Sequence, residues 1–283
     1  MNWAYRLALY LHGKNLLRFF PWRFLKAYVY PITIRGTKKP YQAARYFDSY
    51  YKAAGEFSDR ITIGPAVSAL HSKYHYNSVE NSIIRGLLRC RVKENPAVFD
   101  LGSGAGHWID FYRDTFGAPY VCGLDISKTC VDKLRNKYVH ADDVSIVEGD
   151  ITDKSFRLDR KFDIVNSIGV VFHIVDDRLW LQALINMRDL LNDDGFMIVG
   201  GQFGMITQNV QFHSTDEFEN PEDMRRSSAG GEVRINKRIR SLRRWKKAAR
   251  MAGLRVKVLV RIPNISEILT PENNVMVLER DRR

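Results

Sequence analysis

The stretch that decides the fold is VFDLGSGAG, residues 98–106. An apolar run ends in Asp100, and the alternating glycines Gly102, Gly104 and Gly106 follow it. A glycine loop between a strand and a helix is typical of nucleotide sites, where the backbone approaches a phosphate. A buried carboxylate beside such a loop repels a pyrophosphate and attracts a cation. The stretch therefore predicts a ligand that carries positive charge near the loop and no phosphate.

Strand and helix patterns alternate from this stretch to the end of the chain. Apolar runs predict seven strands, at 97–101, 120–126, 144–150, 162–169, 195–201, 255–262 and 274–280. Amphipathic runs predict helices at 107–116, 128–138, 176–191 and 241–253. These βαβ units predict an α/β fold with a doubly wound, seven-stranded, mostly parallel sheet whose last strand is antiparallel. The ligand is then expected above the carboxyl ends of the strands.

Two further acids end predicted strands. Asp125 ends the second strand about 20 residues past the glycine loop, the spacing at which an acid accepts hydrogen bonds from a ribose diol. Asp150 ends the third strand in VEGDI. With Asp100, three acids around one crevice suit a nucleoside that carries ammonium and sulfonium groups.

At these residues the chain resembles the class I S-adenosylmethionine-dependent methyltransferases. VFDLGSGAG resembles the first motif of the family, GLDIS the second, EGDI the third and FDIVNSIGVVFHI the fourth, and LLNDDGFMIVGG resembles the segment after it. The order and spacing of the motifs agree from residue 78 to residue 200. The element VVFHIVDD is similar to the branch that methylates small molecules. The resemblance implies a Rossmann-like methyltransferase with S-adenosylmethionine as cofactor.

The resemblance also implies roles for individual residues. Asp100 and the loop glycines would hold the amino end of the methionine part, Asp125 the ribose hydroxyls and Asp150 the adenine amino group. With Ser103 in the loop, Trp108 just after it and Tyr76 before the first strand, the expected cofactor-binding residues are Tyr76, Asp100, Gly102, Ser103, Gly104, Gly106, Trp108, Asp125, Ile126, Asp150, Ile151 and Ile168.

His173 is the candidate catalytic residue. Methyl transfer from a sulfonium is an in-line displacement that needs no metal, and we predict none. An acidic or hydroxyl nucleophile gains from a positioned base, and an imidazole accepts a proton near neutral pH. The alternative is a structural histidine that bonds the backbone at the mouth of the site.

Two regions do not follow the alternation of predicted strands and helices. Residues 1–77 are aromatic, basic and partly helical, and we predict that they form an N-terminal cap segment on a methyltransferase domain at 78–283. Within that domain, residues 201–240 are predicted to be a lid or substrate-binding insertion after the fifth strand.

The junction of the cap segment and the domain carries a helix signal. Asn77 and Glu80 have the spacing of a capping box, and a helix is expected to start there with an apolar stripe at Ile83, Ile84, Leu87 and Leu88. Tyr76 would then lie near the strand ends, where it covers the cofactor or packs as an ordinary aromatic residue.

The net charge of +12 is uneven, with basic clusters in the first 39 residues and at 233–257. The clusters favour anionic partners or are solvated helix faces. We expect a small-molecule acceptor that can be anionic, sugar-linked or lipid-linked, and an anionic membrane surface is a candidate partner of the N-terminal segment. RNA is the alternative acceptor. It is less favoured, because neither an N/D-P-P-Y/F element nor a Pro-Cys nucleophile follows the fourth strand.

The cysteines and the apolar runs indicate the cellular compartment in which the protein is expected. Three cysteines without a CxxC pair argue against a disulfide framework and a zinc site, and they fit a reducing compartment. No secretory signal is recognised, and no apolar run reaches the roughly 18 residues of a membrane span. We expect a cytoplasmic protein, with a peripheral position at the membrane as an option.

Overall fold

The computed structural model describes residues 39–64, 67–204, 207–211, 219, 234–261 and 273–282. The strands are β1 (Lys39–Pro40), β2 (Val98–Leu101), β3 (Val121–Asp125), β4 (Val144–Glu148), β5 (Phe162–Ile168), β6 (Leu191–Gly204), β7 (Gln208–Gln211), β8 (Arg234–Ser241), β9 (Leu254–Arg261) and β10 (Asn273–Arg280). The helices are α1 (Ala43–Ala53), α2 (Asp59–Ile63), α3 (Ala69–Leu87), α4 (His107–Phe116), α5 (Lys128–Lys137), α6 (Asp177–Asp189) and α7 (Leu242–Met251). A 3₁₀ turn spans Val171–His173.

The seven predicted strands form one sheet in the order β4-β3-β2-β5-β6-β10-β9. β2 pairs in parallel with β3 and β5, whereas β10 is antiparallel to both β6 and β9. The predicted doubly wound sheet with an antiparallel last strand is confirmed. The chain order reverses between β2 and β5, so the carboxyl ends of these two strands flank the switch point where α/β sheets bind ligands.

Helices cover both faces of the sheet, because the side chains of each central strand alternate between two apolar clusters. Val98 faces the cluster beneath α3, α4 and α5, and Phe99 faces the cluster beneath α6 and α7. Asp100 continues the alternation and lies on the face of Val98. A carboxylate in a fully buried strand costs free energy unless hydrogen bonds or a cationic ligand compensate for the lost contact with water.

Helix ends confirm local signals in the sequence. The hydroxyls of Ser127 and Ser241 accept hydrogen bonds from backbone amides at the starts of α5 and α7, and the Asp176 carboxylate does so at the start of α6. Gly253 follows α7 with a φ of +70°, the left-handed conformation in which a glycine commonly ends a helix.

The predicted start of α3 is wrong. Ser68 is the N-cap, and its hydroxyl accepts a hydrogen bond from the His71 amide. Asn77 and Glu80 therefore lie inside the helix, and the Glu80 side chain bonds another helix instead of completing a capping box. The helix runs continuously through position 77, where the sequence patterns separated the cap segment from the domain.

The predicted insertion contains two strands that the sequence patterns did not indicate. β7 and β8 pair with each other, and β8 also pairs with β1 and with the end of β6. Half of the eight residues of β8 are Lys or Arg, and only Ile235 and Ile239 are apolar. The sequence of β8 therefore lacks the apolar alternation by which a strand is predicted. The second basic cluster is thus partly a strand. Among the described helices, none combines the length and apolarity that crossing a bilayer requires.

Candidate active site

The glycine loop between β2 and α4 is held against β3. The Gly102 amide donates a hydrogen bond to the Leu124 carbonyl at 2.7 Å, and the Gly104 amide donates to the Asp125 carboxylate at 3.2 Å. Gly104 has a φ of +53°, and a Cβ there would lie 2.7 Å from Thr62 Cγ2. Glycine is required here both by the left-handed conformation and by the close approach of α2.

Asp100 lies in a buried polar chain beneath the loop. Its Oδ1 accepts a hydrogen bond of 2.7 Å from the Asn166 amide, whose oxygen accepts one of 3.1 Å from the Tyr112 hydroxyl. Its Oδ2 is buried and has no hydrogen-bond donor within the described part of the chain. Burial raises the pKa of Asp100 to about 6, although the hydrogen bond from Asn166 opposes that effect. A buried carboxylate oxygen without a donor fits a cationic ligand group.

Asp125 ends β3 next to the same loop. Its Oδ1 accepts a hydrogen bond of 3.0 Å from the Ser127 amide, and its Oδ2 accepts the one from Gly104. Burial raises the pKa of Asp125, and the two backbone amides act against it. Each carboxylate oxygen can accept a second hydrogen bond, so a ribose hydroxyl can still bind. Asp125 therefore also holds the loop in place, which the spacing of the motifs did not predict.

The third predicted acid lies at the exposed rim. Asp150 follows β4, and its Oδ1 accepts a hydrogen bond of 2.8 Å from the Thr152 amide. Because β3 and β4 are paired neighbours, Asp125 and Asp150 lie at the same edge of the sheet. Ile126 beyond β3 is partly exposed, and Ile151 is buried.

The remaining predicted cofactor residues have mainly packing contacts. The Ser103 hydroxyl donates to the Asp100 carbonyl at 3.1 Å and so closes the loop. Ile168 ends β5 and is partly buried. Tyr76 and Trp108 are buried between α3 and α4, with their ring centroids 5.5 Å apart. A covering role for Tyr76 stays a prediction.

His173 lies in the turn that follows β5. Val170 in the same segment packs on Gly102, where any Cβ would overlap its side chain. The His173 ring lies edge-on to Phe47 of α1, with a centroid distance of 5.1 Å, and its carbonyl accepts a hydrogen bond of 3.0 Å from the Tyr41 hydroxyl. The structure thus brings the predicted base, the loop and the cap segment together.

An open space adjoins this turn at the carboxyl end of β5. A Cβ on Gly169 would meet no described atom within 4 Å, whereas a Cβ on Gly201 would lie 2.8 Å from the Phe172 ring. The Phe172 and His173 rings of the turn are 4.6 Å apart.

The cap segment contacts the domain through α1. The Asp48 carboxylate accepts hydrogen bonds from the Thr129 amide at 2.8 Å and from the Ser127 hydroxyl at 3.3 Å, at the start of α5. Lys133 of α5 donates to the Tyr51 carbonyl at 2.9 Å. Sequence reasoning missed Asp48, since an acid in an amphipathic helix more often faces solvent.

A second contact joins α2 and α3 to the start of α4. The His107 Nδ1 lies 2.7 Å from Asp59 of α2, and its Nε2 lies 2.7 Å from Glu80 of α3. The Tyr76 ring stacks on the His107 ring at a centroid distance of 3.8 Å. His107 directly follows the glycine loop, so this cluster connects α2 and α3 to that loop.

Comparison with known families identifies the kind of domain that contains this site. A family model described as a methyltransferase domain matches residues 98–195, from β2 into β6. Residues 98–195 of the chain form a methyltransferase domain. The donor-free oxygen of Asp100 beside the glycine loop fits the ammonium group of S-adenosylmethionine, the cofactor that the sequence resemblance implies.

Solved structures share the fold of this methyltransferase. The 1,6-didemethyltoxoflavin-N1-methyltransferase of Burkholderia thailandensis has a TM-score of 0.58 at 15% identity, over 87% of this chain and 94% of that chain. The CcbJ methyltransferase of Streptomyces caelestis has a TM-score of 0.55 at 17% identity, over 85% and 99%. An S-adenosylmethionine-dependent methyltransferase of Clostridium acetobutylicum ATCC 824 has a TM-score of 0.53 at 14% identity, over 72% and 92%. No curated protein sequence matches the chain.

Proposed function

We propose that this methyltransferase transfers a methyl group from S-adenosylmethionine to an O or N atom of a small molecule. The observation that carries the proposal is the contact of Val170 with Gly102, because it holds the His173 turn against the glycine loop. The open space at Gly169 lies at the same strand end and is the proposed location of the acceptor.

The proposed cofactor contacts follow from the buried charges. Asp100 Oδ2 binds the ammonium of the methionine part, and Asp125 binds the ribose hydroxyls while it keeps the Gly104 amide in place. Asp150 at the rim binds the adenine amino group. When bound, the cofactor supplies a methyl group on a positively charged sulfur.

The proposed chemistry is an in-line displacement. The residues of the site hold the acceptor atom and the methyl carbon in line, which supplies much of the rate. His173 accepts the proton that the acceptor O–H or N–H loses as the new bond forms to carbon. The bound cofactor would supply the methyl group and leave as a neutral thioether that keeps the electron pair of its carbon–sulfur bond, and His173 would hold the proton that the acceptor loses.

Neighbouring structures support a small acceptor and leave the acceptor atom open. The Burkholderia enzyme is named for methylation at N1 of 1,6-didemethyltoxoflavin, and another neighbour is named mitomycin 7-O-methyltransferase. We propose that the cap segment and the 201–240 insertion enclose the acceptor. The described contacts of Tyr41 and Phe47 with His173 support the part assigned to the cap segment.

Calorimetry with S-adenosylhomocysteine tests the cofactor site, and transfer of labelled methyl groups tests the acceptor class. We expect S-adenosylhomocysteine to bind and the label to appear in small hydroxyl or amine compounds of an acceptor panel. Label that appears in RNA instead would identify RNA as the acceptor and overturn the proposed small-molecule acceptor. Absence of S-adenosylhomocysteine binding would overturn the proposal.

A further inference from the structure

The outer face of α7 carries a row of exposed cations. The buried side chains of this helix are those of Trp245, Ala248 and Ala249. At about 3.6 residues per turn, the opposite side carries four exposed basic residues: Arg243, Lys246, Lys247 and Arg250. Residues three or four positions apart are neighbours on a helix surface, so these four residues form one basic row along α7.

Other members of the basic cluster at 233–257 have carboxylate partners. Asp177 pairs with three of them: Arg238, Arg240 and Arg244. Glu279 pairs with two: Arg255 and Lys257. The basic row differs, since α7 contains no Asp or Glu and no carboxylate of the described residues forms an ion pair with any member of the row. The basic row therefore keeps its four positive charges at the surface.

The charges of the basic row also repel one another. Arg243 and Lys247 are four residues apart, as are Lys246 and Arg250, and like charges at this spacing destabilise a helix. The Arg250 Nε donates a hydrogen bond of 3.3 Å to the Lys246 carbonyl, which holds the side chain along the helix without neutralising it. An anionic surface in contact with the row would offset this repulsion.

The other side chains of α7 favour a lipid surface over a nucleic acid. Surfaces that recognise RNA add aromatic rings that stack on bases and polar groups that bond to base edges. On α7, Trp245 is only 3% exposed, and the helix contains no Asn, Gln, Ser, Thr or Tyr. Met251 lies next to Lys247 on the helix surface and is 60% exposed, as is typical of an apolar side chain that enters a membrane interface. Cations beside such a side chain suit a plane of anionic headgroups.

We propose that the basic row of α7 docks this protein on a membrane surface that contains anionic phospholipids. The row contacts the headgroups, and Met251 enters the interface beside them. Ser241, just before α7, pairs with Gly204 at the carboxyl end of β6, so the docked face begins at the edge of the sheet that carries the site. The inference goes beyond the proposed function and does not depend on the identity of the methyl acceptor.

Co-sedimentation with vesicles tests the docking. We expect the full chain to sediment with vesicles of phosphatidylcholine and phosphatidylserine and not with vesicles of phosphatidylcholine alone, and added salt should weaken the binding. The double variant Lys246→Gln, Lys247→Gln should bind the anionic vesicles about tenfold or more weakly, because each cation near an anionic surface contributes to attachment. Lys246→Arg with Lys247→Arg should keep most of the binding.

The matched control removes two exposed cations elsewhere, with Arg85→Gln on α3 and Arg89→Gln just after it, and should bind like wild type. No sedimentation of wild type with the anionic vesicles, or equal binding by wild type and the glutamine variant of α7, overturns the inference. An equal loss in the control shows an effect of total charge and also overturns it. Binding of single-stranded RNA, without vesicle binding, that the glutamine variant of α7 loses would assign the row to nucleic acid instead. S-adenosylhomocysteine affinity, measured in parallel, reports on the proposed function and should be the same in all variants.

Discussion

At the scale of single residues, the burial of Asp100 has an electrostatic consequence for ligand binding. Its carboxylate has one hydrogen bond from Asn166, and its second oxygen has no donor in the described chain. Burial has raised its pKa from 3.8 to about 6, so the folded protein favours the protonated acid at mildly acidic pH. A bound ammonium group favours the ionised form and must displace that proton.

We therefore predict that S-adenosylhomocysteine affinity falls as the pH drops below about 6, by at most about tenfold per pH unit. The ammonium of the ligand stays protonated over this range, so the change reports on the protein. Calorimetry at several pH values measures the effect. Asp100→Asn should bind more weakly and lose this pH dependence. A variant that keeps the dependence would assign it to another group, such as Asp125.

His173 provides the second prediction at this scale. In His173→Ala we expect turnover to fall about 100-fold or more, because the proton acceptor is lost, with S-adenosylhomocysteine affinity nearly unchanged. His140→Ala is the control, because His140 is exposed beyond α5. Steady-state rates on the identified acceptor and calorimetry give the two quantities. Unchanged turnover would make His173 a structural residue that bonds the cap segment through its carbonyl.

At the scale of helices and strands, the docking of α1 on α5 depends on one carboxylate. Burial acts to raise the pKa of Asp48, but hydrogen bonds from Lys52 and from the Thr129 amide outweigh it and lower the pKa from 3.8 to about 2. A lowered pKa means that Asp48 stabilises the folded state above about pH 4 and loses that contribution as the pH falls through about 2.

We predict that Asp48→Ala lowers the free energy of unfolding by about 1–2 kcal/mol at neutral pH, because a charge-assisted hydrogen bond to the start of α5 is lost. Backbone amides of α1 should exchange with solvent faster, as hydrogen exchange will show. Asp132→Ala removes an exposed ion pair with Lys128 on α5 and should change the free energy by about 0.5 kcal/mol or less. Equal effects in the two variants would contradict a special role for Asp48.

At the scale of the whole molecule, Arg240 connects the insertion after β6 to the domain. Its side chain is only 1% exposed, it pairs with Asp177, and it donates a hydrogen bond of 2.7 Å to the Ile174 carbonyl. Its guanidinium also lies over the Trp180 ring, and Trp180 packs on Trp245 of α7. One buried side chain therefore joins β8, the turn that carries His173 and both helices of one layer.

We predict that Arg240→Met lowers the free energy of unfolding by about 2 kcal/mol, since the Ile174 carbonyl and Trp180 lose their partner while Asp177 keeps two other arginines. Urea unfolding measures the change. Arg244→Met is the control, because Arg244 bonds the same carboxylate from a more exposed position and should cost about 1 kcal/mol or less. A loss in Arg244→Met as large as in Arg240→Met would show that the charge on Asp177 matters more than the buried contacts.

The sequence alone determined the sheet, the glycine loop, the strand-end acids and the starts of α5 and α7. These features are local: apolar alternation, a serine before a helix and a glycine with positive φ act within a few residues of the chain. The false start of α3 at Asn77 shows the limit of local signals. A capping-box spacing inside a long amphipathic pattern did not reveal that Ser68 starts the helix.

Only the tertiary structure decided which side chains surround the site. Asp48 and Thr129 are 81 residues apart in the chain, and His107 lies 48 residues from Asp59 and 27 from Glu80. Such pairs have no spacing that a sequence pattern can detect, because packing of separate helices brings them together. The sequence also does not reveal that one oxygen of Asp100 lacks a hydrogen-bond donor, because the residues around this oxygen approach it only in the folded chain.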